Sequence, residues 1–371
     1  MRVHKYFTLN QMKKVFILIS VITIYCQAAF SQQGISISAK PCKIYIERGE
    51  SAQQLNFDFL LSKLSADTLT LTKITVRVSD KNKVLVQTRF LDNNGTAPSI
   101  QTISKREFNG ASSQLIFNPF TEFSLGLPLY KLEYEFVFTD NQDRETKIIS
   151  TVYPQAYVQS KSFTLPLKER VLVYDAHDFY DHHRRFDYNF APIKQLGIQT
   201  NFMRYAYDFV PVNKNHELFL NKGDADADYV GFAQSVYVIG DGKVIYASNN
   251  HEDNKKFNIP AMANNPLELY GNCIAIQHAD GVVSIYGHLK QNSVRMKVGD
   301  RVVQKQEIGK IGVSGSSFFP HLHFEIRTSI DHQAEGIPSY FSDVYLLEGS
   351  TETKLKSGLA ETGNIIESRA K

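Results

Sequence analysis

Apolar residues recur at every second position in several short runs of this chain, and this period restricts the folds open to it. The runs 55–61, 74–78 and 134–138 each place Leu, Ile, Val, Phe or Tyr at alternate positions. Successive side chains of a β-strand point to opposite faces, so a period of two predicts strands with one face in a core. No long stretch shows a helical period. The pattern therefore predicts an all-β protein.

Turn signals divide the chain into two strand-rich regions. A length of 371 residues is enough for two domains of ordinary size. Residues 34–165 hold short strand-like runs separated by turn clusters, which predicts a β-sandwich, of which the immunoglobulin-like domain is one form. After a connecting segment at 166–200, strand signals return over 201–346 and predict an antiparallel β-sheet core. The tail at 347–371 is rich in Ser, Thr, Glu, Lys and Gly and is expected to be disordered.

The N-terminus has the pattern of an export signal. Lys13 and Lys14 precede the apolar run 15–25, and small residues follow before Ser31. This order is typical of a signal peptide, here 1–31, and the run is shorter than the ~20 apolar residues that span a bilayer. We therefore expect cleavage near Ser31, a periplasmic or extracellular product, and no transmembrane segment in the mature chain.

The net charge bears on whether the protein binds nucleic acid, and the cysteines bear on whether it contains a disulfide. The formal net charge is only +3, which gives no sign of the clustered basic face of a nucleic-acid-binding protein. Export would permit a disulfide between Cys42 and Cys273, which are the cysteines left after cleavage. Their distance along the chain does not imply one, and we expect two buried thiols.

Two histidines in one strand-like run form the first candidate functional group. His321 and His323 lie two positions apart, so both face the same side of a strand, while Leu322 and Phe324 face the core. Two imidazoles on one face suit a metal ion, or a metal ion and a catalytic base. Alone, a His-x-His pair is weak evidence, because surface or hydrogen-bonded histidines show the same spacing.

The sequence around this pair is more specific than the pair itself. Tyr-Gly-Asn at 270–272, Tyr-Gly-His-Leu at 286–289 and Pro-His-Leu-His-Phe-Glu at 320–325 follow one another in this order. The region 270–327 closely resembles the core of the lysostaphin-type (LytM-like) zinc metallopeptidases, which cut peptide bridges of the cell wall. The resemblance extends less clearly back to about residue 200. It implies that the second strand-rich region is a metallopeptidase core.

The resemblance also implies a site. In that family one zinc ion is held by the His and Asp of a His-x-x-x-Asp motif and by the second His of His-x-His. Carried over to this sequence, Asp208 and His323 are zinc ligands, and His288 and His321 flank the activated water as catalytic residues. Zinc with three protein ligands and an open position lowers the pKa of bound water to ~7 and polarises a carbonyl group. The implied substrates are peptidoglycan peptides.

The first ligand position departs from the family pattern. Arg204 stands where the family has histidine. A guanidinium has no free lone pair and stays cationic, so it cannot ligate zinc and repels a dication. Phe318 and Phe319 also replace residues that are usually small in the family, which predicts a narrower or reshaped groove.

Three interpretations of this departure are open. In the first, which we favour, His183 or His182 replaces the missing ligand, and the chain is a zinc endopeptidase acting on peptidoglycan crosslinks. In the second, zinc is absent or weakly held, and the domain binds peptidoglycan or regulates another envelope hydrolase without catalysis. In the third, the domain is structural, and its histidines only form hydrogen bonds. For Asp208 itself, the alternative to a ligand role is an ion pair with Arg204, four residues away. The interpretations differ in whether a third ligand reaches Asp208 and His323.

Overall fold

The computed structural model describes residues 29–30, 34–64 and 66–369. The predicted signal peptide lies outside the described residues except for its residues 29–30. Helices are few in these ranges and comprise one α-helix, α1 (Ala191–Gln195), and short 3-10 helices. The 3-10 helices are Ser99–Thr102, Asp226–Asp228, Ile259–Ala263 and Pro266–Tyr270. Among the described helices, none is both long and apolar enough to cross a membrane.

Short strands make up the N-terminal domain. They form three sheets with the orders β1-β2-β5-β9, β10-β4-β3-β13 and β12-β11-β6-β7, and β8 pairs with β6. The strands are β1 (Ala29–Phe30), β2 (Ile35–Lys40), β3 (Tyr45–Arg48), β4 (Ala52–Leu55), β5 (Asp58–Lys63), β6 (Leu69–Ser79), β7 (Leu85–Leu91), β8 (Glu107–Phe108), β9 (Ser112–Phe117), β10 (Glu122–Ser124), β11 (Lys131–Asp140), β12 (Glu145–Val152) and β13 (Gln155–Ala156).

One apolar core lies between these sheets, and the period of two explains it. Phe57 and Phe59 are 0% exposed, and both rings pack against Tyr134 of β11. Burying a side chain of this size contributes about 1.5–3 kcal/mol. The prediction of a β-sandwich is confirmed.

A second domain is built on one large sheet. Its strand order is β20-β17-β18-β19-β22-β15-β14-β26-β24-β25, with β23 paired to β22, and β16 and β21 form a separate pair. The strands are β14 (Val171–Asp175), β15 (Tyr207–Pro211), β16 (Ser235–Tyr237), β17 (Gly242–Ala247), β18 (Ile274–His278), β19 (Val283–Gly287), β20 (Arg301–Val302), β21 (Glu307–Lys310), β22 (Leu322–Arg327), β23 (Gly336–Ile337), β24 (Val344–Glu348), β25 (Thr351–Lys354) and β26 (Ile365–Ser368).

In the middle of this sheet, the candidate site residues lie opposite one another on adjacent strands. Asp208 of β15 lies opposite His323 of β22, and His323 lies opposite Gly287, the last residue of β19. On the other side of β15, Asp175 of β14 lies opposite Asp208. These pairings are antiparallel, as the sequence predicted, and the all-β prediction is confirmed.

Strands β14, β25 and β26 of the large sheet lie outside the range 201–346 that we expected for the second domain. β14 lies in the segment that we expected to be a connector, and it pairs with β15. The tail was expected to be disordered, and this expectation is wrong for its described residues: β26 pairs with β14, and Ile366 is 0% exposed. Leu355 and Leu359 are also buried. The composition of the tail is polar, but its few buried apolar residues pack into the fold.

Cys42 and Cys273 do not pair with each other. Cys273 is a free, buried thiol, as expected. Cys42 is exposed and disulfide-bonded, so the expectation of a buried thiol is wrong for this residue.

Candidate metal centre

Asp208 is the centre of a cluster of histidines. The strand pairing that sets Asp208 opposite His323 leaves 3.1 Å between Oδ1 of Asp208 and Nδ1 of His323. Nε2 of His321 lies 3.5 Å from the same oxygen. His321 directly precedes β22 and His323 is its second residue, so the two side chains, two positions apart in extended backbone, point to the same face. The structure therefore brings these three predicted residues together.

A third histidine reaches Asp208 from outside the motif. His183 lies in the loop after β14, and its Nε2 is 3.5 Å from Oδ1 of Asp208. Its Nδ1–H donates to the carbonyl of Ala176 at 3.2 Å, so the lone pair of the neutral ring is on Nε2 and faces Asp208. The side chain of His183 is 1% exposed, whereas that of His182 is 63% exposed and is hydrogen-bonded to Asp175. Of the two candidate replacements, only His183 faces Asp208.

Arg204 does not face the cluster. Its Nη1 lies 2.7 Å from Oδ2 of Asp58, a residue of β5 in the N-terminal domain, and both side chains are buried. Burial acts to lower the pKa of Arg204, but Asp58 and Glu335 raise it above its usual range. The alternative in which Arg204 pairs with Asp208 does not match this geometry, since the guanidinium is committed to another carboxylate.

His288 and His321 are oriented by backbone carbonyls. Nδ1–H of His288 donates to the carbonyl of Ser314 at 2.8 Å, and Nδ1–H of His321 donates to the carbonyl of Phe319 at 2.8 Å. With Nδ1–H on a carbonyl, the neutral form of either ring has its lone pair on Nε2. The ring centroids are 4.8 Å apart. Burial, together with His321 and His323, holds the pKa of His288 well below its usual range. His288 is therefore neutral at pH 7.

A glycine of the Tyr-Gly-Asn motif packs against the loop that orients His288. Gly271 has a φ of 59°, and a Cβ at this position would lie 2.4 Å from the backbone nitrogen of Gly315. A side chain would therefore separate this turn from the loop that contains Ser314, whose carbonyl orients His288. Asn272 completes the contact by donating to the carbonyl of Leu289 at 3.1 Å.

Behind His323 lies a buried charged network. Nε2 of His323 is 3.5 Å from Oε1 of Glu325, which accepts from Nη2 of Arg327 at 2.5 Å. The ring of Tyr270 stacks on His323 with centroids 4.5 Å apart, and its hydroxyl accepts from Arg327 at 2.6 Å. A carboxylate on the outer nitrogen of a metal-binding histidine fixes the ring and leaves the inner lone pair for the metal. Glu325 occupies that position.

The donor set fits a zinc ion. His183, Asp208 and His323 each offer one ligand atom, and these atoms lie within 4.8 Å of one another. Zinc bonds of about 2.0–2.1 Å at tetrahedral angles would place donor atoms roughly 3.4 Å apart. The distances of 3.5 Å and 3.1 Å from Oδ1 of Asp208 are close to this value. Two imidazoles and one carboxylate are ligands that zinc accepts, and they leave a fourth position open.

The protonation of these groups also suits a cation. Burial lowers the pKa of His183 to about 4, so its imidazole is neutral at pH 7. Burial acts to raise the pKa of Asp208, but the surrounding histidines bring it well below its usual range. Burial acts to lower the pKa of His323, but Asp208 and Glu325 raise it to about 9. A cation at this position would displace the proton that two carboxylates stabilise on His323.

Aromatic rings border the cluster on the side of His321. Phe319 contacts His321 with ring centroids 5.2 Å apart, and it packs against Tyr174 at 4.8 Å and Tyr229 at 5.9 Å. Phe318 is mostly exposed beside them. The sequence predicted that these two phenylalanines reshape the approach to the site, and the structure places Phe319 at its edge.

The sequence missed two carboxylates next to the predicted site. Asp175 lies with Oδ1 3.6 Å from Nδ1 of His183, on the side away from Asp208. Glu325 was recognised only as part of a motif and received no role. Asp175 ends a strand that begins with the apolar run 171–173, and a carboxylate at the end of such a strand was the available signal.

The partly buried carboxyl group of Glu335, which lies near the Arg204–Asp58 pair, gives a pH-dependent prediction. Burial raises the pKa of Glu335 to about 7, although Arg204 acts to lower it. Between about 4.3, the value in an unfolded chain, and 7, the folded protein holds a proton that the unfolded chain has released. The free energy of unfolding should therefore fall as pH rises through this window.

We expect Glu335→Gln to remove this fall, because glutamine does not ionise. Relative to the wild type, the variant should gain a few kcal/mol of stability from pH 5 to pH 8, since each tenfold difference in proton affinity between the folded and unfolded chains corresponds to about 1.4 kcal/mol. Urea unfolding at pH 5, 6, 7 and 8 measures the difference. Parallel curves for the two proteins would contradict the assignment.

Comparison with known proteins agrees with the motif order. Residues 228–335 match the model of Peptidase family M23, a range that includes His288, His321 and His323. Cell division protein DipM of Caulobacter vibrioides is 39% identical over 67 residues, which are 18% of this chain and 11% of DipM. Peptidoglycan DD-endopeptidase ShyC of Vibrio cholerae is 28% identical over 151 residues, which are 40% of this chain and 30% of ShyC. The chain thus spans less than a third of the length of either relative.

A solved structure with a similar domain is the catalytic domain of lysostaphin from Staphylococcus simulans. It is 26% identical and covers 38% of this chain and 79% of that chain, with a TM-score of 0.24. The strand order described above, rather than this superposition, defines the fold of the second domain.

Proposed function

Because residues 228–335 of this chain are a domain of peptidase family M23, the lysostaphin-type (LytM-like) peptidases, we propose that the protein is an exported zinc endopeptidase that hydrolyses peptide crosslinks of peptidoglycan. In this proposal His183, Asp208 and His323 bind one zinc ion. His288 and His321 are the catalytic residues. Export is part of the proposal and rests on the N-terminal sequence pattern.

The observation that carries this proposal is the position of His183. A degenerate, non-catalytic domain was the alternative as long as Arg204 left the metal with two ligands. Nε2 of His183 lies 3.5 Å from Asp208, and Arg204 is held by Asp58. A neutral imidazole therefore compensates for the lost family histidine, which favours the enzyme over the binding module.

The two catalytic histidines have complementary environments. When bound, zinc would supply Lewis-acid polarisation of the scissile carbonyl and a lowered pKa for the attacking water. The low pKa of His288 keeps its ring neutral at pH 7, and the bond from Nδ1 to Ser314 leaves the lone pair on Nε2. In this proposal that nitrogen takes the proton of the attacking water and passes it to the leaving amine. Nε2 of His321 lies 3.5 Å from Oδ1 of Asp208. In its doubly protonated form the ring would keep its bond to Phe319 through Nδ1 and donate from Nε2 to the negative charge that develops on the carbonyl oxygen.

The choice of peptidoglycan is supported by the relatives rather than by the geometry. ShyC, which is named a peptidoglycan DD-endopeptidase, aligns with 40% of this chain. The family resemblance stated from the motifs also implies cell-wall peptides. The aromatic rim formed by Phe319, Tyr174 and Tyr229 gives the site an apolar edge on which such a substrate can rest.

The experiment that tests the proposal compares zinc content and hydrolysis in the full chain. Asp208→Ala is expected to lose both bound zinc and the release of peptides from purified peptidoglycan. His321→Ala is expected to keep its zinc and to hydrolyse roughly 10²–10⁴-fold more slowly, since it removes a group that acts on the reaction and leaves the three ligands in place. Zinc is measured by mass spectrometry after dialysis against metal-free buffer.

His251→Ala is the control, because it removes a histidine that lies outside the cluster, 3.8 Å from Glu268. It should retain zinc and activity. A wild-type protein that holds no zinc after incubation with the metal, or that releases no peptides, would disprove the proposal. Hydrolysis that survives Asp208→Ala would do so as well.

A further inference from the structure

The loop that carries His183 is held at both ends by the N-terminal domain. At one end, Nε2 of His177 lies 3.2 Å from Oε1 of Glu47 in β3. At the other end, Nη1 of Arg184 lies 2.5 Å from Oδ1 of Asp58 in β5. All four side chains are 3% exposed or less. We refer to residues 177–184 as the ligand loop.

The contacts next to His183 restrict the backbone as well as the side chains. Nη2 of Arg184 donates to the carbonyl of Phe57 at 2.7 Å, so its guanidinium bridges a carboxylate and a backbone oxygen of the same strand region. Nδ2 of Asn201 donates to the carbonyls of His183 and Arg184, at 2.9 Å and 3.2 Å. The residue next to the candidate ligand is therefore anchored in three directions.

Energetics favour a positioning role for these charges. A buried ion pair contributes little net stability compared with apolar residues of the same volume, because desolvation offsets most of the attraction. Asp58 nevertheless binds two buried arginines, Arg184 through Oδ1 and Arg204 through Oδ2. Each of these buried ion pairs fixes one arrangement of the two segments that it joins, since any shift leaves a buried charge without a partner.

We propose that the N-terminal domain is a structural component of the metal centre, in which Glu47 and Asp58 are positioning residues that hold His183 against Asp208. This inference rests on the proposed function, in which His183 is a ligand. It assigns the N-terminal domain a role in metal affinity rather than in substrate contact. Outer residues that orient ligands typically change metal affinity by about 10–100-fold when replaced.

The test is a pair of matched arginine variants of the full chain, titrated with zinc in competition with a chelating dye. Arg184→Leu removes the anchor next to His183 and is expected to weaken zinc binding by about 10–100-fold. Arg204→Leu removes the other arginine from the same carboxylate, but it leaves the ligand loop anchored and should bind zinc with nearly the affinity of the wild type. Both lose one buried charge at Asp58, so a general loss of stability would affect them equally.

Two further variants separate positioning from folding. Arg184→Lys restores a cation opposite Asp58 and should recover part of the lost affinity. Glu47→Gln keeps the size of the side chain at the other anchor and should weaken zinc binding in the same direction as Arg184→Leu, and it decides the question if Arg184→Leu does not fold. The absorption of bound Co²⁺ in the visible range should change in Arg184→Leu and not in Arg204→Leu.

The possible failures are distinguishable. A wild-type protein without zinc affinity would overturn the proposed function, and this inference with it. A wild type that binds zinc, with equal affinities for Arg184→Leu and Arg204→Leu and an unaffected Glu47→Gln, would overturn this inference alone. In that case the ion pairs stabilise the contact between the domains and have no effect on the metal.

Discussion

Replacing His183 by alanine is expected to remove tightly bound zinc from the full chain and, with it, the hydrolysis of peptidoglycan. The loss of affinity should exceed the roughly 10–100-fold typical of residues that only orient a ligand, because the change removes a donor atom. The physical reason is that Nε2 of His183, 3.5 Å from Asp208, is the third neutral or anionic donor of the cluster. Zinc titration and peptide release from purified peptidoglycan measure the two effects.

The neighbouring histidine supplies a matched control. His182→Ala also removes an imidazole from the ligand loop, but that ring is mostly exposed and faces Asp175 rather than Asp208. It should bind zinc almost as tightly as the wild type. If the two alanine variants lose zinc to the same extent, His183 is not the ligand and the loop acts only as a unit. If neither loses zinc, the metal is held without this loop.

The second large effect is on stability. Arg327→Met is expected to lower the free energy of unfolding by about 3–5 kcal/mol, because it leaves the carboxylate of Glu325 buried without its cation. Both side chains are 0% exposed and lie 2.5 Å apart, and Arg327 also binds the hydroxyl of Tyr270. Urea unfolding at pH 7, with a chelator present so that bound metal does not contribute, measures the loss.

Two comparisons identify the cause of that loss. Arg295→Met breaks a partly exposed ion pair with Glu307 and should change stability by about 1 kcal/mol or less. The double variant Glu325→Leu with Arg327→Met removes both buried charges and should recover much of the stability, since apolar residues can replace a buried pair. An unfolding curve for Arg327→Met that overlays the wild type would show that Glu325 is not buried as a charge.

The architecture was predictable because a strand with one buried face has an apolar residue at every second position. That rule gave the all-β class, and Phe57 and Phe59 lie in the core as it required. The prediction for the tail used its polar composition rather than the period of two, and that criterion wrongly indicated disorder. Ile366 is a buried apolar residue in a mostly polar stretch, and its strand is favourable because β14 and β24 pair with it on either side.

The part of the site that lies on strands was also accessible to sequence reasoning. His321 and His323 share a face because of local geometry, and the motif order related them to His288 and Asp208. The choice between His182 and His183 was not accessible, because it depends on how a loop is anchored. The contacts that decide it come from Glu47 and Asp58, which are distant in the sequence and belong to the other domain.

The shared anchoring of residues 177–184 has a consequence for how such a protein can evolve. Domains joined by a plain linker can be exchanged between proteins, since each keeps its own contacts. Here a recombination that attached a different N-terminal domain would leave His177, Arg184 and Arg204 buried without their acidic partners. The two halves of this chain are therefore expected to be inherited as one unit.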